Sequence, residues 1–125
     1  MAMQCVYVAL GGAVGAVGRY LMGMAPFLPK TDFPLSTLLI NLIGAFAIGL
    51  IAQLAVQKGL QNDAMTLFLK VGVCGGFTTF STFSLETVNL LSAGKTALGL
   101  LYIGLSVLLC LLGVLAGQWL GQKLA

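Results

Sequence analysis

The sequence has no histidine and very little charge: six basic and three acidic side chains in 125 residues, or 7%. A soluble domain carries about a quarter of its residues as Asp, Glu, Lys and Arg, so this chain cannot cover a water-facing surface. With no imidazole and only three carboxylates, it lacks the parts for triad hydrolysis, for most metal-assisted hydrolysis and for paired acid–base work. It is not expected to be an enzyme. Cysteine is scarce too. Cys5, Cys74 and Cys110 stand alone in apolar segments, without a C-x-x-C pair. Neither a zinc site nor a disulfide framework is indicated, and all three read as small buried hydrophobes. The net charge of +3 is dispersed, with no cluster for nucleic acid or for anionic lipid.

What the chain has instead is apolar length: 59% of its residues are hydrophobic and 17 are glycine. The charges Arg19, Lys30, Asp32, Lys58, Asp63, Lys70, Glu86, Lys95 and Lys123 leave uncharged stretches at 1–18, 33–57, 71–85 and 96–122. A spanning helix needs roughly 20 mainly apolar residues. Segments 35–56 and 97–120 meet that requirement outright. Segment 5–25 meets it with Arg19 near one end, and 66–91 meets it with a polar, glycine-containing centre and Glu86 near its far end. The expected fold class is therefore an all-α membrane protein, with four transmembrane helices in a single integral membrane domain over 1–125. The first segment lacks a basic n-region and is apolar for too long to read as a signal peptide. Its Gly11-x-x-x-Gly15 spacing reads as a close helix contact.

Cytoplasmic loops normally hold the excess of Lys and Arg. With four spans, one side collects Lys58, Lys70 and Lys123, and the other Arg19, Lys30 and Lys95. Three against three gives the insertion machinery almost no bias. Either the balance is a chance of short length, or the chain inserts both ways and pairs with its inverted copy.

Polar residues inside the spans are few. In the second, Asn41 has Thr37 a turn earlier and Gly44 on the same side. Its amide either bonds a neighbouring helix or supplies N–H donors to an anion in transit. In the fourth, Tyr102, Ser106 and Cys110, then Gly113, Gly117 and Gly121, recur every four residues and share one arc of about 100°. The glycine half of that stripe is expected to pack against another helix. The hydroxyl half faces either a helix or an ion. The third segment reads Gly72-Val73-Cys74-Gly75-Gly76-Phe77-Thr78-Thr79-Phe80-Ser81-Thr82-Phe83-Ser84-Leu85-Glu86. Paired glycines followed by five hydroxyl residues make poor helix continuity. Irregular backbone at membrane depth is tolerated only in protein or along a cavity, and half-helix ends there bind ions. The alternative is a packed ridge of Phe77, Phe80 and Phe83, with Ser and Thr bonded back to their own helix.

The third-segment run resembles the signature of the Fluc (CrcB) family of bacterial fluoride channels. Further matches follow in order along nearly the whole chain: Gly11-Gly12-x-x-Gly15-x-x-x-Arg19-Tyr20, then Thr37-Leu38-x-x-Asn41-x-x-Gly44. Ser36 and Cys110 depart from the family pattern, Cys110 where a hydroxyl would continue the stripe. The resemblance implies a third helix broken at the membrane midplane and an antiparallel, dual-topology homodimer in the bacterial inner membrane. It implies a structural sodium ion (Na+) at the dimer interface, held by backbone carbonyls at positions matching Gly75 and Thr78. It also implies two fluoride pathways per dimer, lined at Asn41, Phe80 and Phe83. Tyr102 and Ser106 supply hydroxyls there, with Ser81, Thr82 and Thr37 nearby. Arg19 matches a vestibule position, and Glu86 a carboxylate near the path.

The chemistry suits a small, strongly hydrated anion. Aromatic rings are positive at their edges, so Phe80 and Phe83 can offer C–H edges while amide and hydroxyl groups add donors. A buried sodium would raise the potential felt by anions. The absence of Lys and Arg mid-path suits a channel that must release what it binds. A small proton-coupled multidrug exporter is the alternative. It requires a carboxylate in the first helix, and this chain has none there.

Overall fold

The computed structural model describes residues 1–124. Four helical spans are present, each long and apolar enough to cross a membrane: Ala2–Gly23, Leu35–Lys58, Ala64–Ser92 and Thr96–Leu124. We label Ala2–Gly23 α1 and Leu35–Lys58 α2. The third span consists of α3 (64–77) and α4 (Phe80–Ser92), and α5 is Thr96–Leu124. Within α3 the backbone is π-helical from Leu67 to Cys74. Among the described residues there is no strand.

The short connectors are fixed by local chemistry. α2 ends at Gly59, whose φ of 67° closes the helix while Leu60 N–H bonds Ala55 O at 2.8 Å. Gly94, at φ 78°, ends α4 in the same way, with Lys95 N–H on Leu90 O at 2.9 Å. Glycine is favoured at both because a left-handed residue with a Cβ is strained. Asp63 caps α3 by accepting from Met65 N–H at 3.1 Å.

Glycine sets the packing. α1 lies on α3 backbone to backbone. Gly11 meets Phe68 O and Gly72 Cα, Gly15 meets Val73 O and Phe77 N, and Gly76 meets Gly12 O. Contacts advance along both helices in the same direction, so α1 and α3 run parallel. α2 and α5 do the same: Gly113 faces Leu42, Gly117 faces Phe46 O and Leu50 N, and Gly121 faces Gln53, with Gly49 set against Val114 O. The glycine half of the α5 stripe and the Gly11–Gly15 pair are thus close helix contacts. Such approach gains dispersion contacts where lipid removes the hydrophobic drive between helices.

Large apolar side chains cover the outside, including Val14, Val17, Leu108, Leu112 and Leu115. This is the reverse of a soluble protein and suits a hydrocarbon surround. The small core lies at one end of the bundle, where Leu38, Leu90 and Tyr102 are packed by Phe33, Leu35 and Phe83. Cys74 is buried and Cys110 half-buried, but Cys5 is exposed. The expectation of burial fails for Cys5 because it lies near the start of α1, before the glycine contact with α3 begins.

Candidate functional site

The irregular third span is interrupted at two residues. Gly75 and Gly76 stay helical, Gly75 at φ −64°, ψ −37°. The backbone turns extended only at Thr78 (φ −83°, ψ 155°) and Thr79 (φ −147°, ψ 117°), and α4 then begins at Phe80. The double glycine therefore serves close packing on α1, and the threonines carry the interruption.

Several of the polar groups freed there have partners. Thr78 turns its hydroxyl back onto Cys74 O at 2.9 Å, which also accepts from Thr78 N–H at 3.1 Å. Asn41, from α2, takes both polar groups of Thr79. Its Oδ1 accepts from Thr79 N–H at 2.8 Å and its Nδ2 donates to Thr79 O at 3.1 Å. That double demand fixes which end of the amide is nitrogen. Thr79 Oγ1 caps α4 by accepting from Thr82 N–H at 3.1 Å. It also donates to Thr82 Oγ1 at 3.1 Å and lies 3.3 Å from Ser81 Oγ. On the far side, Arg19 Nε–H donates to Gly76 O at 3.1 Å.

Beside the interruption is a groove of about 440 Å³. It collects six of the residues singled out from the sequence: Asn41, Gly75, Thr78, Phe80, Phe83 and Ser106. None of its lining residues is charged. Phe80 stands 79% exposed and packs on Phe83 at 5.5 Å between centroids, and Phe83 packs on Tyr102 at 5.1 Å. Ser106 is only 6% exposed, and its Oγ is buried without a hydrogen-bond partner among the described residues. Cys110 continues this lining one turn further along α5.

Tyr102 lies behind the groove, fully buried, and its hydroxyl donates to Glu86 Oε1 at 3.0 Å. Thr37 is buried on the neighbouring face of α2. Glu86 borders a second hollow of about 250 Å³ with Asp32, Asn89 and Lys95, where Lys95 Nζ lies 2.5 Å from Asp32 Oδ2. Of the expected ridge only Phe80 on Phe83 forms, beside the groove, because the break at Thr78 and Thr79 sets the Phe77 ring against Gly18 and Gly44 instead. Ser84 and Thr87 bond back to Phe80 O and Phe83 O, at 2.9 and 2.8 Å. Ser81 and Thr82 sit at the cap of α4. Arg19 is held at the end of α3 on the α1 side.

The residue missed among the site candidates was Thr79. Its signal is a hydroxyl three residues before Thr82 at a helix start, the spacing of an N-cap. Electrostatically, the interruption puts two helix ends together. α3 brings its carbonyl end, which favours a cation, and α4 brings its N–H end, which favours an anion.

Comparison with known proteins gives one consistent result. Residues 6–118 match the family model for CrcB-like protein, Camphor Resistance (CrcB). A protein of Ruminiclostridium cellulolyticum named Fluoride-specific ion channel FluC is 47% identical, over 98% of this chain and 95% of its own. The protein of the same name from Magnetococcus marinus is 46% identical, over 96% of this chain and 98% of its own. That from Agrobacterium fabrum is 44% identical, over 94% of each.

Proposed function

Since the chain belongs to the CrcB family, we infer that it is a fluoride-specific ion channel, a multi-pass membrane protein and not an enzyme. The observation that carries this reading is the groove itself. It holds a buried hydroxyl with no partner among the described residues, two phenylalanine rings and an asparagine amide, and no charged side chain. Fluoride must exchange tightly held water for compact donors. Ser106 has an O–H to give. One N–H of Asn41 is spent on Thr79 O, which leaves the second. Phe80 and Phe83 add positive ring edges. Beyond Phe83, the path continues to Tyr102 and Glu86, beside the second hollow. Without a cationic side chain in the groove, an anion is passed rather than trapped. Transport is passive: HF enters the cell and dissociates, and the membrane potential drives fluoride out of the bacterial cytoplasm across the inner membrane.

A second copy in antiparallel orientation completes the site. The exposed Phe80 and the open, uncharged groove support this, because they leave a donor-bearing face that lipid cannot satisfy. The charge distribution supports it as well. Three basic side chains on one side (Lys58, Lys70, Lys123) against three on the other (Arg19, Lys30, Lys95) leave almost no bias for one orientation.

A sodium ion at that dimer interface fits the residues present. Gly75 and Thr78 line the groove, a side chain added at Gly75 would meet open space, and the Thr78 hydroxyl is turned away onto Cys74 O. Neither carbonyl accepts from a side chain or a loop amide among the described residues. Carbonyl oxygens suit a hard cation, and one bound there would supply fixed positive charge near the fluoride path.

Fluoride-electrode recording from loaded proteoliposomes tests the function. Efflux well above that of empty vesicles, with chloride retained, is expected. Efflux equal to that of empty vesicles, or equal chloride flux, overturns it. Thiol labelling of an engineered C-terminal cysteine from each side of the cell membrane tests the topology, and labelling from one side only overturns dual insertion.

A further inference from the structure

Arg19 is an ionisable residue within a membrane span, and no carboxylate lies within ion-pair distance of it among the described residues. Such a residue is costly in a membrane and marks a functional position by default. Its one side-chain hydrogen bond among the described residues goes to Gly76 O, through Nε–H at 3.1 Å. The reach is set by glycine. Gly15 presses on Val73 O and Phe77 N, and Gly76 on Gly12 O, so the α1 backbone lies against the last turn of α3. Arg19 follows Gly15 by four residues and so stands on the same face of α1, one turn on.

The consequence is a sorting of carbonyls at the end of α3. A helix end leaves its last four carbonyls without intrahelical partners. Cys74 O is taken by Thr78, and Gly76 O is drawn to α1 by Arg19. Gly75, between them, borders the groove with open space beside it, and so does Thr78 border the groove. We propose that Arg19 is a positioning residue of the third-span interruption: its Nε–H holds Gly76 O toward α1, which leaves Gly75 and Thr78 to present carbonyls to the groove. The role belongs to the hydrogen bond rather than to the charge. This inference rests on the reading of Gly75 and Thr78 as a sodium site.

Side-chain chemistry provides the test. Glutamine places a neutral N–H the same number of bonds from Cα as arginine Nε. Lysine keeps the charge but moves its donor one atom further, and methionine keeps length without a donor. Binding of radiolabelled sodium to the purified full-length protein is measured by equilibrium dialysis, alongside the sodium dependence of fluoride efflux. R19Q is expected to keep the wild-type sodium affinity. R19M and R19K are expected to weaken it by about tenfold or more, the usual loss when an outer partner of a metal ligand is removed. If R19K keeps the affinity and R19Q loses it, the charge is what matters and the inference is overturned. Unchanged affinity in R19M overturns it too. Where R19M does not fold, the Gln–Lys contrast alone decides. A wild-type protein that binds no sodium overturns the sodium site itself, a different failure, and removes the role assigned to Arg19 with it.

Discussion

The carboxamide of Asn41 and the peptide groups of Thr79 form a two-point pair, with Oδ1 accepting at 2.8 Å and Nδ2 donating at 3.1 Å, across 38 residues of sequence. Asn41 thus does for Thr79 what a helix does for its own residues, and it lets the third span open beside the groove without orphaning the Thr79 peptide groups. An unmade hydrogen bond of this kind costs about 1–3 kcal/mol. Asn41→Ala is therefore expected to destabilise the folded protein by about that much in detergent unfolding, and to reduce fluoride efflux at least tenfold. Asn41→Asp keeps the acceptor for Thr79 N–H but places a carboxylate in the proposed anion path. It should lose flux as fully as alanine does. Flux retained in Asn41→Asp would show that the amide is structural only.

The contrast between Asn41 and Gly75 shows what could be read in advance. The four spans were legible, because charges bound apolar stretches of spanning length whatever the tertiary structure. Part of the groove's lining was legible too, since Asn41, Phe80, Phe83 and Ser106 carry distinctive chemistry at distinctive spacing. The position of the interruption was not. Gly75-Gly76 look like the weak point by propensity, yet both are helical, because α1 packs directly on Gly76. Thr78 and Thr79 leave the helix because Asn41 and the Thr79 cap satisfy them there, a long-range arrangement that no local rule contains. Arg19 was counted among the charges of one membrane side for the same reason. Only the contact with Gly76 O reveals its partner.

Glycine positions within one helix should differ sharply in tolerance. At Gly117 an added methyl runs into Phe46 O and to 2.7 Å from Leu50 N, whereas at Gly104 it meets nothing within 4 Å. Overpacking of this kind costs about 1–3 kcal/mol, and replacing an open helical glycine by alanine gains up to about 1 kcal/mol. Gly117→Ala is expected to lower the unfolding midpoint and Gly104→Ala to leave it unchanged or raise it. Thermal unfolding of the two variants side by side checks the pair, and equal loss in both would contradict the α2–α5 contact.

Tyr102 is fully buried, yet its hydroxyl reaches Glu86. The ring is held by Phe33 at 5.5 Å and by Phe83, so Tyr102→Phe keeps the packing and removes only the donor. Losing a hydrogen bond of this kind costs about 1–3 kcal/mol. Tyr102→Phe should therefore destabilise by that order and free the Glu86 carboxylate to turn toward the second hollow. Glu86→Gln retains an acceptor for the hydroxyl and should cost less. Comparing the two midpoints tests the bond: a larger loss in Glu86→Gln would place the stabilisation elsewhere.

Ser106 is where stability and function should part. Its hydroxyl is buried at 6% exposure with no partner among the described residues, and an unsatisfied buried polar group costs about 1–3 kcal/mol. For the fold alone, then, Ser106→Ala is a gain or neutral, since alanine keeps the Cβ and discards the orphan. For the proposed path it is a loss, because an O–H donor leaves the groove shared with Asn41, Phe80 and Phe83. The variant is expected to unfold at the wild-type temperature or above while fluoride efflux falls several-fold, and Ser106→Thr should restore the donor. These opposite signs separate a hydroxyl kept for an ion from one kept for packing. If Ser106→Ala lowers stability with flux unchanged, the hydroxyl serves the helix contact and the groove must pass fluoride without it.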